Sequence, residues 1–161
     1  MQHDVIAYTD GGCRGNPGVG AWAFLLIQPS SGRALERAGG EPNTTNNRME
    51  MRAAIEALTA IRKRGAAVLI RSDSRYLIDC CSKWIPGWKA RGWKRKDGEL
   101  KNLDLLKQLD ELVAKHRLEW EWVQGHAGNQ GNERVDQLAN EAMDRLSRGE
   151  PPEFERRRSW K

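Results

Sequence analysis

The sequence predicts an α/β fold in which a mixed sheet is flanked by helices. Stretches with strand and helix character follow one another as three strands, a helix, a strand, further helices, a strand and a last helix, an order that suits helices packed on a sheet. The chain has 161 residues, enough for one full hydrophobic core and too few for two comfortable ones. Hydrophobic residues make up 39% and charged residues 30%, which excludes a disordered or membrane-embedded protein. Its longest apolar runs, such as AWAFLLI at 21–27, fall far below the roughly 20 residues that span a bilayer. The opening MQHDVIAYTD has no basic stretch followed by an apolar one, so no secretory signal is expected. Cys13, Cys80 and Cys81 offer no paired spacing and no metal clip, and reduced thiols in a cytoplasmic protein are the expectation.

The elements follow in order. Val5 to Thr9 is a short run of strand formers ending at Asp10, and glycines from Gly11 to Gly20 around Asn16 and Pro17 predict a tight turn into a second strand at Ala21 to Ile27. A third strand is expected over Gly32 to Gly40. Apolar residues at Met51, Ala54, Ile55, Leu58 and Ile61 then fall on one helical face, with Thr44 to Asn47 available to cap its start. Ala66 to Ile70 is a continuous apolar run, as in a strand buried on both faces. Ser74 to Trp84 reads as a helix, and Leu103 to Lys115 as another with Leu103, Leu106, Leu109, Leu112 and Val113 on one side. Leu118, Trp120 and Trp122 alternate with Glu119 and Glu121, the pattern of a half-buried strand. Beyond a glycine-rich loop at Gly125 to Gly131, Val135, Leu138, Ala139, Ala142 and Leu146 mark the last helix. Residues 1–147 form the expected domain, and 148–161, with Pro151, Pro152 and the bases Arg156 to Arg158, a flexible basic tail.

Charge is unevenly laid out. The formal net charge is +5, and the segment from Lys83 to Lys101, with seven bases against Asp97 and Glu99, accounts for all of it. Trp84, Trp88 and Trp93 are interleaved with those bases, a composition that suits a polyanion with faces to stack on. A solvated charged surface whose tryptophans pack inward is the plainer use of the same residues. Four acids share an odd placement. Asp10 and Asp73 end predicted strands, where α/β sheets gather functional groups, and Glu50 and Asp136 lie on the rims of apolar helix stripes. Each also has an ordinary duty, as turn residue, helix cap or dipole complement. Two strand ends and two helix starts could nevertheless converge on one crevice.

TDGGCRGNPG at Thr9 to Gly18, TTNNRMEM at Thr44 to Met51, SDS at Ser72 to Ser74, WKARGWK at Trp88 to Lys94 and WVQGHAGNQGNERVDQLA at Trp122 to Ala139 resemble ribonuclease H in its bacterial type I form. The resemblance is collinear from about Val5 to Met143. It implies the ribonuclease H-like fold, a five-stranded mixed sheet with helices on both faces, and endonucleolytic cutting of the RNA strand of RNA–DNA hybrids, as in removal of RNA primers and hybrids during replication and repair. It places the catalytic carboxylates on Asp10, Glu50, Asp73 and Asp136 and a proton-handling histidine on His126. Hard oxygen ligands without a cysteine or histidine cage favour magnesium, with manganese as a substitute. Two such ions about 3.5 to 4 Å apart can hold the attacking and departing oxygens of an in-line displacement. The resemblance implies that Asp10 bridges both, that Asp136 helps hold the ion activating water, and that Glu50 and Asp73 hold the ion beside the leaving oxygen. Products would carry a 5′ phosphate and a 3′ hydroxyl. Without metal, two carboxylates 4 Å apart repel by about 4 kcal/mol at an effective dielectric near 20.

Recognition of RNA rests on 2′ hydroxyls across a shallow minor groove. By resemblance Asn16, Asn46 and Asn47 make those contacts, Thr45 and Arg48 grip phosphates of the DNA strand, and Cys13 and Asn102 are further substrate-binding positions. Trp84, Lys89, Arg91, Trp93 and Lys94 form a handle along the DNA strand. Arg75 stands where relatives often carry glutamine, and unlike glutamine it donates without accepting. The expected partner is an RNA–DNA hybrid, with no membrane and no obligate protein partner, and the expected state is a monomer. The same acid-lined sheet also serves DNA-cutting resolvases and transposases, and a non-catalytic hybrid-binding module is the third alternative.

Overall fold

A computed structural model describes residues 2–95, 98–124 and 128–160. Three long strands, β1 (Val5–Arg14), β2 (Gly18–Gln28) and β3 (Arg33–Thr44), form an antiparallel meander, and α1 (Asn46–Ala60) follows. Thr45 caps that helix, its hydroxyl accepting from Arg48 N at 3.3 Å. β4 (Ala67–Ser72) runs parallel to β1, as expected for a continuous apolar run fed by a helical crossover. The chain continues through α2 (Arg75–Asp79), a π-helical turn (Cys80–Trp84), α3 (Ile85–Ala90), the short strands β5 (Lys94–Arg95) and β6 (Gly98–Glu99), and α4 (Leu103–Val113). β7 (Arg117–Trp122) pairs parallel to β4, and α5 (Gln130–Ser147) and β8 (Phe154–Ser159) complete the described chain. The main sheet has the order β7-β4-β1-β2-β3-β8.

Two apolar layers cover it. Ala21, Ala23, Leu25 and Ile27 of β2 face Val135, Leu138, Ala139 and Ala142 of α5. The alternate residues Phe24 and Leu26, with Val68 and Ile70 of β4, face Ala57 and Leu58 of α1. This alternation makes an 11-residue apolar strand intelligible: β2 is central and buried on both sides. A further cluster joins Met51, Ala54 and Ile55 of α1 to Leu77, Cys80 and Ile85 and to Leu105, Leu106 and Leu109 of α4. The three cysteines are free, and burial pushes the Cys80 thiol up to about 11, so it behaves as a core group. Among the described residues no helix is long and apolar enough to cross a membrane.

The structure corrects the sequence reading in three places. First, the tail expected to be flexible supplies a sixth strand, β8, antiparallel to β3, where five were expected. Its arginines are not idle: Arg156 makes a bidentate pair with Glu141 at 2.7 and 3.0 Å, and Phe154 lies under the guanidinium groups of Arg145 and Arg156. A strand with three consecutive bases has no hydrophobic signature, and its carboxylate partners are distant in sequence. Second, the helix expected over Ser74 to Trp84 is broken into α2, a wider π turn and α3. Pro86 has no N–H to continue the regular ladder, and Ile85 N donates to Cys80 O one residue further back than in an α-helix. Third, β1 does not stop at Asp10 but continues through Gly11 and Gly12 to Arg14, paired to β2 throughout. Its pairing to β4 does end at Thr9 with Ser72, so Asp10 lies where β1 parts from its parallel neighbour.

Candidate active site

That divergence opens a crevice between β1 and β4, and α1 starts at its mouth. Gly11 is what lets the helix come so close. A Cβ there would strike the Met49 carbonyl carbon and the Glu50 nitrogen, so only glycine allows β1 to pass beneath the first turn of α1. Glu50 is thereby lowered onto Asp10. Asp73 is held by the turn after β4: Ser72 Oγ accepts from Ser74 N at 3.0 Å, Ser74 Oγ caps α2 through Leu77 N at 3.1 Å, and Trp122 Nε1 donates to Asp73 O at 3.1 Å.

The outcome is a triad. Asp10, Glu50 and Asp73 each offer a carboxylate oxygen, and these oxygens lie within 4.8 Å of one another. Asp10 is only 8% exposed and Glu50 9%. Burial is the main force pushing the Asp10 carboxyl up to about 8, and the charges of Asp73 and then Asp136 add to it. Glu50 is raised well above its ordinary value by burial, then by Asp10 and Asp73. The Gly11 N–H opposes the rise at both carboxyls. Asp136, on the second turn of α5, approaches Asp10 from the other side of the sheet and its charge helps to raise the Asp10 carboxyl, while its own oxygens lie outside the close set formed by the other three. Asn129 sets that helix start by accepting from Asn132 N at 3.0 Å. Among the described residues, Glu50 Oε1 is buried without a hydrogen-bond partner. An orphaned carboxylate oxygen among like charges and hard ligands alone fits a divalent cation of the magnesium or calcium type.

The other expected residues fall in three groups. Asn16, Cys13, Thr45, Asn46 and Asn47 come together where the β1–β2 turn meets the start of α1: Asn16 Oδ1 accepts from Asn46 N at 3.1 Å, and Cys13 Sγ donates to Thr44 O at 3.2 Å. Arg48 turns away to α4, pairing bidentately with Asp104 at 2.8 and 3.1 Å and donating to Asn102 Oδ1 at 3.3 Å. Trp84, 40% exposed, leads a ladder of rings with Tyr76 at 6.1 Å and Trp88 at 5.8 Å. Those rings, Asn47, Lys101 and Asn102 line a cleft of about 470 Å³. The plainer reading of the tryptophans holds in part, because Trp88 and Trp93 pack on the α1–α4 core while Trp84 does not. Lys89 pairs with Asp110 at 3.0 Å, and Arg91 and Lys94 are exposed. Arg75 stacks its guanidinium 4.2 Å above the Trp122 ring, beside Asp73. His126 lies outside the described residues. Lys101 belongs to the basic segment read from the sequence, whereas Tyr76 was not singled out there. Only the spacing of Tyr76 eight residues before Trp84 on a helical stretch could have signalled the ring ladder.

A profile of the RNase H family matches residues 2–144. The chain is 50% identical over 148 residues to the ribonuclease HI of Pseudomonas aeruginosa, an alignment covering 91% of this chain and 98% of that one. Among solved structures it is similar to LC9-RNase H1, described as a type 1 RNase H with the type 2 active-site motif, at a TM-score of 0.80 and 35% identity over 89% of this chain and 74% of that one. It is also similar to LC11-RNase H1 crystallised in complex with an RNA/DNA hybrid, at a TM-score of 0.64 and 25% identity over 89% and 99% of the two chains. With an acid-lined α/β sheet of this topology, the chain belongs to the ribonuclease H family.

Proposed function

We infer that this protein is an endonuclease hydrolysing the RNA strand of RNA–DNA hybrids, leaving 5′-phosphate and 3′-hydroxyl ends. The observation that carries the reading is the buried triad of Asp10, Glu50 and Asp73, with Asp136 against Asp10, beside an aromatic and basic cleft. Asp10, Glu50, Asp73 and Asp136 would hold two magnesium ions. When bound, the metal supplies Lewis-acid stabilisation of charge at the reacting phosphate and lowers the pKa of water. The chain's own part is positional. Four acids from β1, α1, α5 and the end of β4 keep their ligand atoms preorganised on rigid elements. Asn16, Asn46 and Asn47 present amide groups that can both donate to and accept from 2′ hydroxyls. Trp84 gives a flat face to the DNA strand and the handle supplies cations. The reading takes the enzyme as a cytoplasmic monomer without an obligate protein partner.

The deciding experiment uses an end-labelled RNA–DNA hybrid with duplex DNA and duplex RNA as controls, in magnesium and in chelator. Cutting confined to the RNA of the hybrid, and only with metal, is expected. Cutting of duplex DNA would favour a resolvase-like nuclease, and binding without cutting a recognition module. The handle makes a second, quantitative expectation. If it neutralises about five phosphates, the slope of log affinity against log salt is near −4. Converting the exposed Arg91 and Lys94 to glutamine should reduce that slope by about 2 and raise KM more than it lowers kcat. Equal loss in both constants would instead make the handle part of the site's architecture.

A further inference from the structure

Arg75 opens α2 two residues after Asp73, and its guanidinium lies 4.2 Å from the centre of the Trp122 ring. That ring, 41% exposed at the end of β7, is itself fixed, because its Nε1 donates to Asp73 O at 3.1 Å. An exposed cation is thus tied through one rigid plane to the backbone of a cluster acid. The neighbouring residue takes the opposite course. Tyr76 turns to Trp84, 6.1 Å away, and to the cleft that Asn47 of α1 borders. Asp73 stands at the root of both branches, with Arg75 on the flank toward the edge strand β7 and the ring ladder on the other.

The charge of Arg75 is uncommitted. Arg48, Arg71 and Lys89 each find a carboxylate, at 2.8, 2.8 and 3.0 Å, whereas among the described residues no carboxylate lies within ion-pair distance of Arg75. The influences that lead on Asp10 and Glu50 are burial and neighbouring carboxylates, not a counter-charge from Arg75. Stacking occupies one face of the guanidinium and leaves its edge of N–H groups open to an acceptor. Five donors in a plane with no acceptor match the paired oxygens of a phosphate, and they match less well a hydroxyl that must both give and take a hydrogen bond.

We propose that Arg75 clamps a phosphate of the RNA strand close to the one being cut, and that Trp122 is the positioning residue of that clamp. The proposal rests on the hybrid-cutting function inferred above and adds to it the group that holds the cut strand beside the acids. A strand whose scissile phosphate sits at Asp10, Glu50 and Asp73 presents its next phosphates to whatever surrounds them, and Arg75 is the pinned, unpaired cation on the flank away from the ring ladder. Because the ring already orders the guanidinium, little freedom is lost when the phosphate arrives. Such a contact fixes the register of the strand without reading its sugar, a task left to the amides of Asn16, Asn46 and Asn47.

The test is cleavage of an end-labelled hybrid in which one RNA linkage at a time, on either side of the main cut, is made uncharged as a methylphosphonate on a 2′-deoxy unit. The same deoxy unit with an ordinary phosphate is the control, and a matching series is made in the DNA strand. In the wild type, neutralising one RNA linkage should slow the main cut about tenfold beyond its control, the worth of one charge-assisted contact. Arg75→Gln should lose about tenfold on the unmodified hybrid, more in KM than in kcat, and nothing further when that linkage is neutralised. Arg75→Lys, which keeps the charge without the fork, should fall between. Trp122→Leu should lose most of this coupling, and Trp122→Phe, which keeps a ring to stack on, should restore it. Binding of the hybrid in chelator gives a readout independent of cutting: the slope of log affinity against log salt should fall by about 1 in Arg75→Gln. Losses that multiply instead of overlapping would overturn the clamp, as would an Arg75→Gln variant that matches the wild type. Overlap with the deoxy control alone would make Arg75 a reader of the sugar, and overlap only with the DNA series would move it to the other strand; either result overturns the proposal. A wild type that leaves the hybrid uncut ends the function itself, whereas a wild type that cuts beside an indifferent Arg75→Gln ends only the clamp. Arg75 is exposed, and an unchanged melting temperature checks that its variants fold.

Discussion

In chelator at pH 8, Asp10→Asn is expected to be more stable than the wild type by about 1 to 3 kcal/mol, while cleavage in magnesium falls by about a thousandfold or more. Both effects have one cause. Asp10 is buried beside Glu50, Asp73 and Asp136, and its carboxyl is pushed from 3.8 to about 8. Between those values the folded protein holds a proton that the unfolded chain has released. Stability therefore declines as pH rises through that window and levels off above about 8. Asparagine keeps the shape and carries no charge, so its stability curve should be shallower over pH 5 to 8. Some slope remains because Glu50 is raised as well. Losing one carboxylate of the acid cluster is expected to remove several kcal/mol of charge stabilisation, and each 1.36 kcal/mol is a factor of ten in rate. Magnesium should raise the wild-type melting temperature more at pH 8 than at pH 6, because the ion competes with the bound proton. Thermal melts from pH 5 to 9, with and without magnesium, together with hybrid cleavage, test this. An asparagine variant with a wild-type melting profile, or one that still cuts, is incompatible with the crowded-acid site.

Glu36→Ala should cost about 3 kcal/mol, a fall in Tm of about 6 to 12 °C for a chain of this size. Glu36 is fully buried on β3. Arg134 of α5 grips it bidentately at 2.6 and 2.9 Å, and Arg158 of β8 approaches at 3.4 Å. Burial pushes its carboxyl up, but the hydrogen bonds and charge of Arg134, joined by Arg158, more than offset that and leave it below its ordinary value. The pH dependence is thus opposite to that of Asp10. The stabilisation is present above the ordinary glutamate value and is lost as pH falls through the depressed one. Removing the carboxylate leaves two guanidinium groups without the acid they share, which is why truncation costs more than the net worth of the pair. Arg158→Ala, at a half-exposed position, should cost under about 1 kcal/mol. Urea unfolding at pH 7 and pH 3.5 measures both variants, and a Glu36→Ala curve superimposed on wild type at pH 7 would refute the argument. Since Arg134 lies two residues before Asp136, the same clamp fixes the start of α5 from the side away from the acids.

Where a segment's own side chains declare its surroundings, the sequence was readable. The apolar run of β2 implies a strand covered on both faces, and the stripe of α5 implies a helix on one of them. The four acids could be singled out because each sits at a boundary of an apolar pattern, and the collinear motifs around them supplied their grouping. Arg48 and Arg75 were less legible. Their partners in the fold are announced by no motif: Arg48 is engaged by Asp104, 56 residues on, and Arg75 by the Trp122 ring. A guanidinium takes whichever carboxylate or ring the fold brings nearest, and sequence spacing carries no record of that.

Local pattern alone determined the type of the long apolar elements, because alternation and helical periodicity reflect which face of a segment meets water. It also determined which acids were out of place. Tertiary structure decided how far β1 runs, where the last strand lies and how closely the acids approach. β8 exists because β3 has an open edge and because Glu36 and Glu141 answer its arginines, conditions set by chain distant from it. The upward push on Asp10 likewise comes from water excluded by α1 packed over Gly11 and from Asp73 and Asp136 on two other segments, a field that arises only when those segments are folded onto one another.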